Sequence, residues 1–394
     1  MTDRVNTHAS WRLAGARASE DHEAFRETVA KFFAREMAPH EEEWRKAGRV
    51  DKAIFSIAGS AGLLGLGVPE DQGGSGTEDF RYNAIFREEA ARAGISVSAA
   101  RIAVVNDVCI PYFLSSPEPL RTRWLPKICD GSVVTAIAMT EPGAGSDLVG
   151  MQTRAIRQGD HFVVTGVKTM ISNAGNADLA VVACKTGSAA RRAGISLLLI
   201  EMAAAGVSRG APLKKAGQPS SDLGELIFEE VKVPVGNLLG AEGTGFAQLV
   251  ANLPRERLSI AIDAVYQAEA AFEATLEYAT QRRVFNQPVA TFQANRFTLA
   301  EMRTELDIAR NFIDAQIGAI NRGILSAEAA AQAKWWCTEL CTRVVDRCLQ
   351  LHGGYGYMDE YPISRLWRDT RAMTLYGGTT EVMKEIIGRG LGIR

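Results

Sequence analysis

The segment Asn252-Leu-Pro-Arg-Glu-Arg-Leu-Ser-Ile-Ala-Ile-Asp-Ala264 carries one carboxylate, Glu256, where a helical pattern calls for an apolar side chain. On a helical period Glu256 shares a face with Leu249, Leu253, Ile260 and Ala264. Apolar neighbours disfavour the ionised carboxylate, so the position predicts a raised pKa, in the range that suits a general base. The alternative is a solvated or arginine-paired glutamate, since Arg255 and Arg257 flank it, and the segment leaves both interpretations open.

The quoted segment lies in the first of four helical patterns that fill the last third of the chain. These patterns cover about residues 246–282, 293–321, 326–351 and 378–390. Short loops bearing glycine or proline separate them. Three long helices followed by a shorter one predict a four-helix bundle over residues 241–394.

Short β-branched and apolar runs replace the helical pattern between about residues 131 and 240. The runs are Val133–Met139, His161–Thr165, Leu179–Cys184, Ile195–Ile200 and Leu226–Glu229. Turns rich in glycine, asparagine and aspartate separate them. Strands at this spacing are typical of a compact β-barrel or sandwich, so we predict a middle β-domain over residues 131–240.

The first third of the chain has a helical pattern. Phe25, Val29 and Met37 recur at helical spacing, and Arg81–Ala93 is rich in helix formers, so a helical domain is predicted over residues 19–130. Residues 1–18 lack periodicity and are predicted to form a flexible arm. The chain is therefore predicted to be an α+β multidomain protein with helical, β and helical parts in that order.

Composition narrows the class of function. The 394 residues include 23% charged residues and have a formal net charge of −2, which lacks the basic surplus of a nucleic-acid binder, so we expect small-molecule chemistry. The six cysteines form no CxxC pair, which predicts core side chains, neither disulfides nor metal ligands. We find no export signal and no run of about 18 apolar residues, and expect a cytoplasmic protein without a membrane span.

Met139–Asp147 follows a predicted strand and is dense in glycines, hydroxyls and acids. It does not match a dinucleotide-binding fingerprint, because Leu148 stands where the third glycine is needed and no helix follows. Its exposed amides and the hydroxyls of Thr140 and Ser146 could hold a polar ring system or a phosphate-bearing ligand. The same residues are also typical of an ordinary turn.

Four further segments combine polar side chains with turns. Lys168–Asn173 ends a strand pattern and places the Ser172 hydroxyl beside Met170, although a plain strand end explains it as well. The arginines of Gln281–Pro288 could bind a pyrophosphate or complete a helix dipole. The glycines of Gln350–Tyr357 exceed what a helix end needs, which predicts a close backbone approach to a ligand. Tyr376–Glu381 opens the last helix, where amides can receive an anionic oxygen.

Together these segments resemble the acyl-CoA dehydrogenase family, from about residue 20 to the C-terminus. The most specific matches, in order and at the expected separations, are Met139–Asp147, Arg282–Phe285 with Gln293, Gln350–Gly354 and Tyr376–Glu381. The resemblance implies an N-terminal helical domain, a middle β-domain and a C-terminal four-helix bundle, in agreement with the patterns above. It also implies one FAD per subunit.

The resemblance assigns contacts to the flavin. Thr140 and Ser172 match residues that bond the isoalloxazine ring, Met139 lies beside them, and Met170 stands where an aromatic residue usually packs. The positions that hold the pyrophosphate and adenosine across a subunit interface match Arg282, Phe285, Gln293, Gln350, Gly353 and Gly354. The last flavin contacts match Thr379 and Glu381. A shared site implies at least a dimer, and family members are usually homotetramers, built as dimers of dimers.

The resemblance also identifies a base. Most family members carry the catalytic Glu two residues before the Thr of the last motif, where this chain has Gly377. The long-chain and isovaleryl branches carry it instead in a Glu-Arg-Leu setting, which Glu256-Arg257-Leu258 reproduces. Glu256 is therefore the expected base, and the Gly377 amide the expected donor to the thioester carbonyl. The expected substrate-side residues are Ser146, Arg257 and Gly378.

The function implied by the resemblance is α,β-dehydrogenation of an acyl-CoA to the trans-2-enoyl-CoA. Glu256 would take the α-proton, flavin N5 the hydride, and an electron-transferring flavoprotein the electrons. The alternatives are an acyl-CoA oxidase or acyl-carrier-protein dehydrogenase of the same fold, and a catalytically silent assembly or binding homologue. The motifs match the long-chain branch best but leave the acyl group open, including branched or ring-bearing groups, because chain length depends on the depth of a pocket that the sequence does not show. Asn106 and Met170 also depart from the side chains expected there.

Overall fold

A computed structural model describes residues 19–187 and 194–393 of the chain. The flexible arm predicted for residues 1–18 lies outside the described residues. A helical region, a sheet region and a second helical region follow one another, and three buried apolar clusters are centred on them. This order confirms the predicted fold class, whereas the predicted residue boundaries stay a prediction.

All regular secondary structure that the structure describes before the first strand is helical. Its helices are α1 (Glu20–Phe32), α2 (Glu41–Ala47), α3 (Ala53–Ser60), α4 (Arg81–Arg92), α5 (Ser96–Val104), α6 (Ile110–Leu114) and α7 (Glu118–Cys129). Ser19 begins α1 with a capping box, in which the Ser19 side chain and the His22 ring each accept from the other residue's amide. A π-helical turn, Val105–Cys109, joins α5 to α6.

The middle region is built on one hydrogen-bonded sheet. Its strands are β1 (Thr135–Ala138), β2 (Arg154–Gln158), β3 (His161–Ile171), β4 (Leu179–Lys185), β5 (Ile195–Glu201), β6 (Val207–Arg209) and β7 (Gly224–Pro234). They pair in the order β1-β4-β2-β3-β7-β6, and β5 also pairs with β4. Strand β2 meets β4 at Arg154 and Lys185 alone, and the buried core of this region includes Val182 and Phe228. The predicted middle β-domain is confirmed, and its strands form one hydrogen-bonded sheet.

The sequence pattern missed β2 and β6. Only Ala155 is buried in β2, so this strand offers no apolar run, and β6 has three residues. Strands β3 and β7 extend beyond the predicted runs because they pair with each other from His161 to Ile171. Cross-strand hydrogen bonds therefore determine these strand ends, and hydrophobic patterning does not.

The C-terminal region contains the predicted bundle. Its four helices are α8 (Gly245–Gln281), α9 (Gln293–Asn321), α10 (Ala327–His352) and α12 (Thr380–Gly390). A short hairpin of β8 (Arg283–Val284) and β9 (Gln287–Pro288) connects α8 to α9. A further helix, α11 (Pro362–Thr370), was not predicted. It is short, begins with proline, and buries few apolar side chains.

One helical stretch, Ser96–Leu114, has a mean hydropathy of 1.4 and is long and apolar enough to cross a membrane by length and composition. It spans α5, the π-helical turn and α6, and 67% of it is buried inside the fold. The core helix of a globular protein passes the same test. The stretch also contains two buried charged residues, Arg101 and Asp107.

All six cysteines are buried and free, as the sequence predicts. Burial raises the pKa of the Cys109 and Cys184 thiols to about 12. Thiols that stay protonated at neutral pH are poor nucleophiles and poor metal ligands. The cysteines therefore act as small core residues.

Asn106 ties the loop between α3 and α4 to the π-helical turn. Its Oδ1 accepts from the Gly65 amide at 2.8 Å, and its Nδ2 donates to the Leu63 carbonyl at 2.8 Å. The side chain is buried, so water cannot replace it as a partner for these backbone groups. The unexpected residue at this position thus has a structural role.

Asn106→Ala should lower the thermal unfolding temperature by about 5 °C, because two buried backbone groups lose their partners at a cost of about 1–3 kcal/mol each. Scanning fluorimetry of the purified protein measures this shift. Asn311→Ala is the matched control, since Asn311 is exposed and bonds within its own helix, and it should change the temperature by no more than about 1 °C. Equal shifts in the two variants would contradict the role of Asn106.

Candidate active site

Helix α8 buries Glu256 against the N-terminal helices. The residue is 7% exposed, and the Tyr112 hydroxyl of α6 donates to its Oε1 at 3.2 Å. Burial raises the pKa of Glu256 to about 7, although the Tyr112 hydrogen bond and the charge of Arg257 favour the ionised form. The interpretation of Glu256 as a solvated surface acid is therefore wrong, and the interpretation as a buried acid on the apolar face is confirmed.

Gly377 lies over the same face of α8, one turn beyond Glu256. A Cβ at Gly377 would stand 2.4 Å from Ile260 Cδ1, and the backbone has a φ of +68°, so the position favours glycine on both counts. Arg257 Nε donates to the Gly377 carbonyl at 3.3 Å, which holds this loop against the helix. No acceptor for the Gly377 amide is found among residues 19–187 and 194–393. That amide is free to donate to a ligand.

Gly378 and Thr379 complete the loop and begin α12. Lys334 of α10 donates to the Gly378 carbonyl at 2.7 Å. Burial and the nearby charge of Arg257 lower the pKa of Lys334 to about 8. The Thr379 hydroxyl caps α12 by accepting from the Val382 amide at 3.4 Å. Helices α8 and α10 thus position the loop, through Arg257 and Lys334 respectively. Glu381 is exposed in the first turn of α12.

The predicted segment after β1 packs against the end of β3. Lys168 Nζ donates to the Met139 carbonyl at 3.0 Å and to Glu141 Oε1 at 2.8 Å, and the Thr169 amide donates to the Thr140 carbonyl at 2.9 Å. Because the Lys168 and Glu141 side chains are both buried, each charge is stabilised by the opposite charge of its partner in place of water. The structure therefore brings these two predicted segments together, with Ser146 exposed further along the loop.

The end of β3 is distorted where it meets that loop. Met170 has a φ of +57°, which is unusual for a residue with a side chain, and its side chain is 62% exposed. The pairing with β7 shifts register between Lys168 and Ile171. The Thr140 and Ser172 side chains are half-buried on either side of this distortion. Strained backbone of this kind concentrates at ligand sites.

Asn173 connects this strand end to α5. Its Nδ2 donates to the carbonyls of Arg101 at 3.2 Å and of Thr135 at 3.4 Å. Its Oδ1 is buried and has no donor in the described part of the chain. Buried polar atoms without partners are rare in folded proteins, so this oxygen is a candidate contact for a bound water or ligand.

The remaining predicted residues lie at the other end of α8. Arg282 is about 39 Å from Glu256 along the helix, at about 1.5 Å per residue. Its guanidinium stacks over the Tyr355 ring at 5.4 Å, which joins the loop after α8 to the segment after α10. Phe285, 89% exposed, packs edge-on against Phe292. The exposed residues of this end are Arg282, Phe285, Gln293, Gln350, Gly353 and Gly354. Within one chain, these residues at the far end of α8 are therefore not brought close to Glu256.

Sequence reasoning missed several buried polar groups of α5, the π-helical turn and α6. Tyr112 carried no signal, because tyrosine is common in cores. Arg101 and Asp107, by contrast, interrupt the apolar Ser96–Leu114 pattern in the way Glu256 interrupts its own. The same argument applied to that stretch would have identified both.

Comparisons with known proteins agree with this geometry. Family models of the acyl-CoA dehydrogenase N-terminal, middle and C-terminal domains match residues 19–132, 136–231 and 243–392. The chain is 40% identical over 375 residues to a long-chain specific acyl-CoA dehydrogenase of Sus scrofa, covering 94% of this chain and 86% of the relative. It is 32% identical over 371 residues to the caffeyl-CoA reductase-Etf complex subunit CarC of Acetobacterium woodii, covering 94% and 97%.

A solved acyl-CoA dehydrogenase from Geobacillus kaustophilus is 43% identical and superposes with a TM-score of 0.94, covering 96% of this chain and 100% of that one. The matches extend over all three regions described above. The chain therefore belongs to the acyl-CoA dehydrogenase family of FAD-dependent oxidoreductases.

Proposed function

We propose that this protein catalyses the α,β-dehydrogenation of an acyl-CoA thioester, with Glu256 as the base that removes the α-proton. The observation that carries the proposal is that the buried Glu256 carboxylate and the glycine loop at Gly377 lie on the same face of α8. Relatives named as acyl-CoA dehydrogenases support the substrate class.

The groups at the end of β3 fit a flavin ring. Thr140 and Ser172 offer half-buried hydroxyls, the Met170 backbone is distorted beside them, and Asn173 Oδ1 is buried without a donor in the described chain. We assign Met139, Thr140, Met170 and Ser172 to one side of the isoalloxazine ring, with Thr379 and Glu381 as contacts from α12. FAD, when bound there, supplies the hydride acceptor, its N5 atom.

The chain's own residues handle the proton and the thioester. Glu256 accepts the α-proton, and a pKa of about 7 leaves much of it ionised at neutral pH while keeping it a strong enough base. The free Gly377 amide donates to the thioester carbonyl and stabilises the negative charge that develops as the proton leaves. Arg257 and Lys334 position that amide by bonding the carbonyls of Gly377 and Gly378. Ser146, at the exposed side, meets the CoA arm.

The exposed groups at the far end of α8 support a shared cofactor site. Arg282 and Phe285, with Gln293 and the Gln350–Gly354 loop, are too far from Glu256 to act on the same flavin. We propose that they hold the pyrophosphate and adenosine of FAD in a neighbouring subunit of a homotetramer. An electron-transferring flavoprotein is the proposed acceptor, which the relative in an Etf complex supports. The cytoplasmic location stays a prediction.

Glu256→Gln should retain yellow FAD but slow acyl-CoA-dependent flavin bleaching by about 10³-fold or more, the scale of a lost general base. Anaerobic stopped-flow absorbance with a panel of acyl-CoA thioesters measures it. Glu242→Gln, which changes an exposed glutamate, is the matched control and should bleach at the wild-type rate. Unchanged bleaching in Glu256→Gln would exclude this residue as the base, and rapid reoxidation of the bleached wild type in air would favour an oxidase.

The rate of flavin reduction should rise with pH and level off above about 7, because only the ionised Glu256 accepts a proton. Tyr112→Phe should move the midpoint of this profile to higher pH, since the lost hydrogen bond favours the ionised carboxylate. Single-turnover reduction across the pH range measures both midpoints. A midpoint that Tyr112→Phe leaves in place, or moves to lower pH, would contradict the assignment.

Arg282→Ala should weaken FAD retention, because a guanidinium that binds the pyrophosphate is removed. The ratio of flavin to protein absorbance after dilution and gel filtration measures occupancy. Arg322→Ala removes an exposed arginine at the end of α9 and should keep full occupancy. Full occupancy in Arg282→Ala as well would argue against its role in the site.

A further inference from the structure

A cavity of about 450 Å³ lies between the loop before α4, helix α6 and helix α8. Its lining includes Pro111 and Leu114 of α6 and Arg255 of α8. Glu78 and Ser115 also line it and are exposed, so the cavity opens to solvent beside them. Small-molecule sites typically have volumes of about 300–1,000 Å³, so this one has room for a compact ligand.

The cavity is separate from the site assigned to dehydrogenation. Its lining in the described part of the chain includes none of the residues assigned to the base, the Gly377 loop or the flavin. Tyr112 is also on α6, but its side chain is fully buried and its hydroxyl bonds Glu256. Arg255 and Glu256 follow one another on α8, and consecutive helical residues project about 100° apart. The two side chains therefore serve different faces of the helix.

Arg255 brings a guanidinium without a protein partner to the wall of this cavity. Its Nε is buried, and no acceptor or ion-pair partner is found for it in residues 19–187 and 194–393. Its Cζ lies 4.8 Å from the centre of the Phe80 ring, a cation-π contact that holds the guanidinium in place. Burial lowers the pKa of Arg255, but an arginine stays charged at neutral pH.

The carboxylates near Arg255 do not neutralise it. Asp107 is within electrostatic range, but its oxygens already accept hydrogen bonds from Arg87 and Asn83. Glu78 lines the same cavity and forms no ion pair with Arg255 in the described chain. Glu78 is exposed to water, so an ion pair there would add little stability. The guanidinium is therefore available to an acceptor from outside the chain.

Helix α6 adds an apolar surface to the same cavity. Ile110, Pro111 and Leu114 supply it. A small inorganic anion on Arg255 would leave these side chains in contact with water, whereas a ligand with a hydrocarbon body would cover them and gain the free energy of burying apolar surface. The lining thus favours a ligand that joins an anionic head to an apolar body.

We propose that this cavity binds a small organic carboxylate, with the carboxylate on Arg255 and the hydrocarbon body against α6. A guanidinium fork matches a carboxylate through two parallel charge-assisted hydrogen bonds, which give the unpartnered Nε an acceptor. This site does not depend on the proposed function, because the carboxylate bound there takes no part in the transfer of the proton or the hydride.

The ligand class is tested by isothermal titration calorimetry of the FAD-loaded protein at neutral pH, with sodium hexanoate as the probe. Hexanoate should saturate one site per chain. Hexan-1-ol, which keeps the chain length without the charge, and acetate, which keeps the charge without the body, should each bind at least about tenfold more weakly. No saturable hexanoate binding, or equal binding of either comparison ligand, overturns the inference.

Arg255 itself is tested by substitution. Arg255→Gln should weaken hexanoate by at least about tenfold and change hexan-1-ol by less than about threefold. Arg35→Gln, at an exposed position, is the matched control and should bind hexanoate as the wild type does. Full hexanoate affinity in Arg255→Gln overturns the inference.

A second variant covers the case in which Arg255→Gln does not fold or loses its FAD. Ser115→Trp places a bulky side chain at an exposed position of the cavity lining, where it should obstruct entry and weaken hexanoate by at least about tenfold while FAD is retained. Full hexanoate affinity in Ser115→Trp then overturns the inference in its place.

Discussion

Desolvation of the Glu256 carboxylate is the constraint on which the site depends. Helix α8 places this side chain where water is excluded, and the Tyr112 hydroxyl gives it one hydrogen bond. The raised pKa means that ionising Glu256 at neutral pH costs folding free energy, since the unfolded chain would ionise it more readily. The packing of α8 on the N-terminal helices supplies the stability against which this cost is set. Basicity and position therefore come from the same packing.

The face of α8 that buries Glu256 also limits what can lie above it. Ile260 leaves no room for a side chain at Gly377, so the backbone approaches the helix closely and its amide stays available. Arg257 and Lys334 hold this loop by donating hydrogen bonds to the carbonyls of Gly377 and Gly378. Fixing these peptide groups also fixes the direction of the Gly377 amide, which a hydrogen bond to a ligand requires. Arg257, which follows Glu256 in the sequence, is thus a positioning residue for the Gly377 loop.

Buried charges join the N-terminal region to the bundle. Arg87 connects α4, the π-helical turn and α8 through Asp107 and Asp263. Such pairs add little net stability over apolar packing, but removing one partner leaves an uncompensated charge, so they define one arrangement of these elements.

The sequence by itself determined the three regions, the four bundle helices and the position of the Glu256 carboxylate on an apolar helical face. Hydrophobic periodicity carries this information because it reports which face of a continuous segment is buried. It did not find β2 or α11, whose stability comes from partners elsewhere in the chain. Only the tertiary structure decided that Glu256 is desolvated and bonded to Tyr112, 144 residues earlier, and that Nε and Nη1 of Arg101 are buried without an acceptor in the described chain. A pKa and an unmet hydrogen bond depend on what other elements place around a side chain, and one segment's pattern does not contain that information.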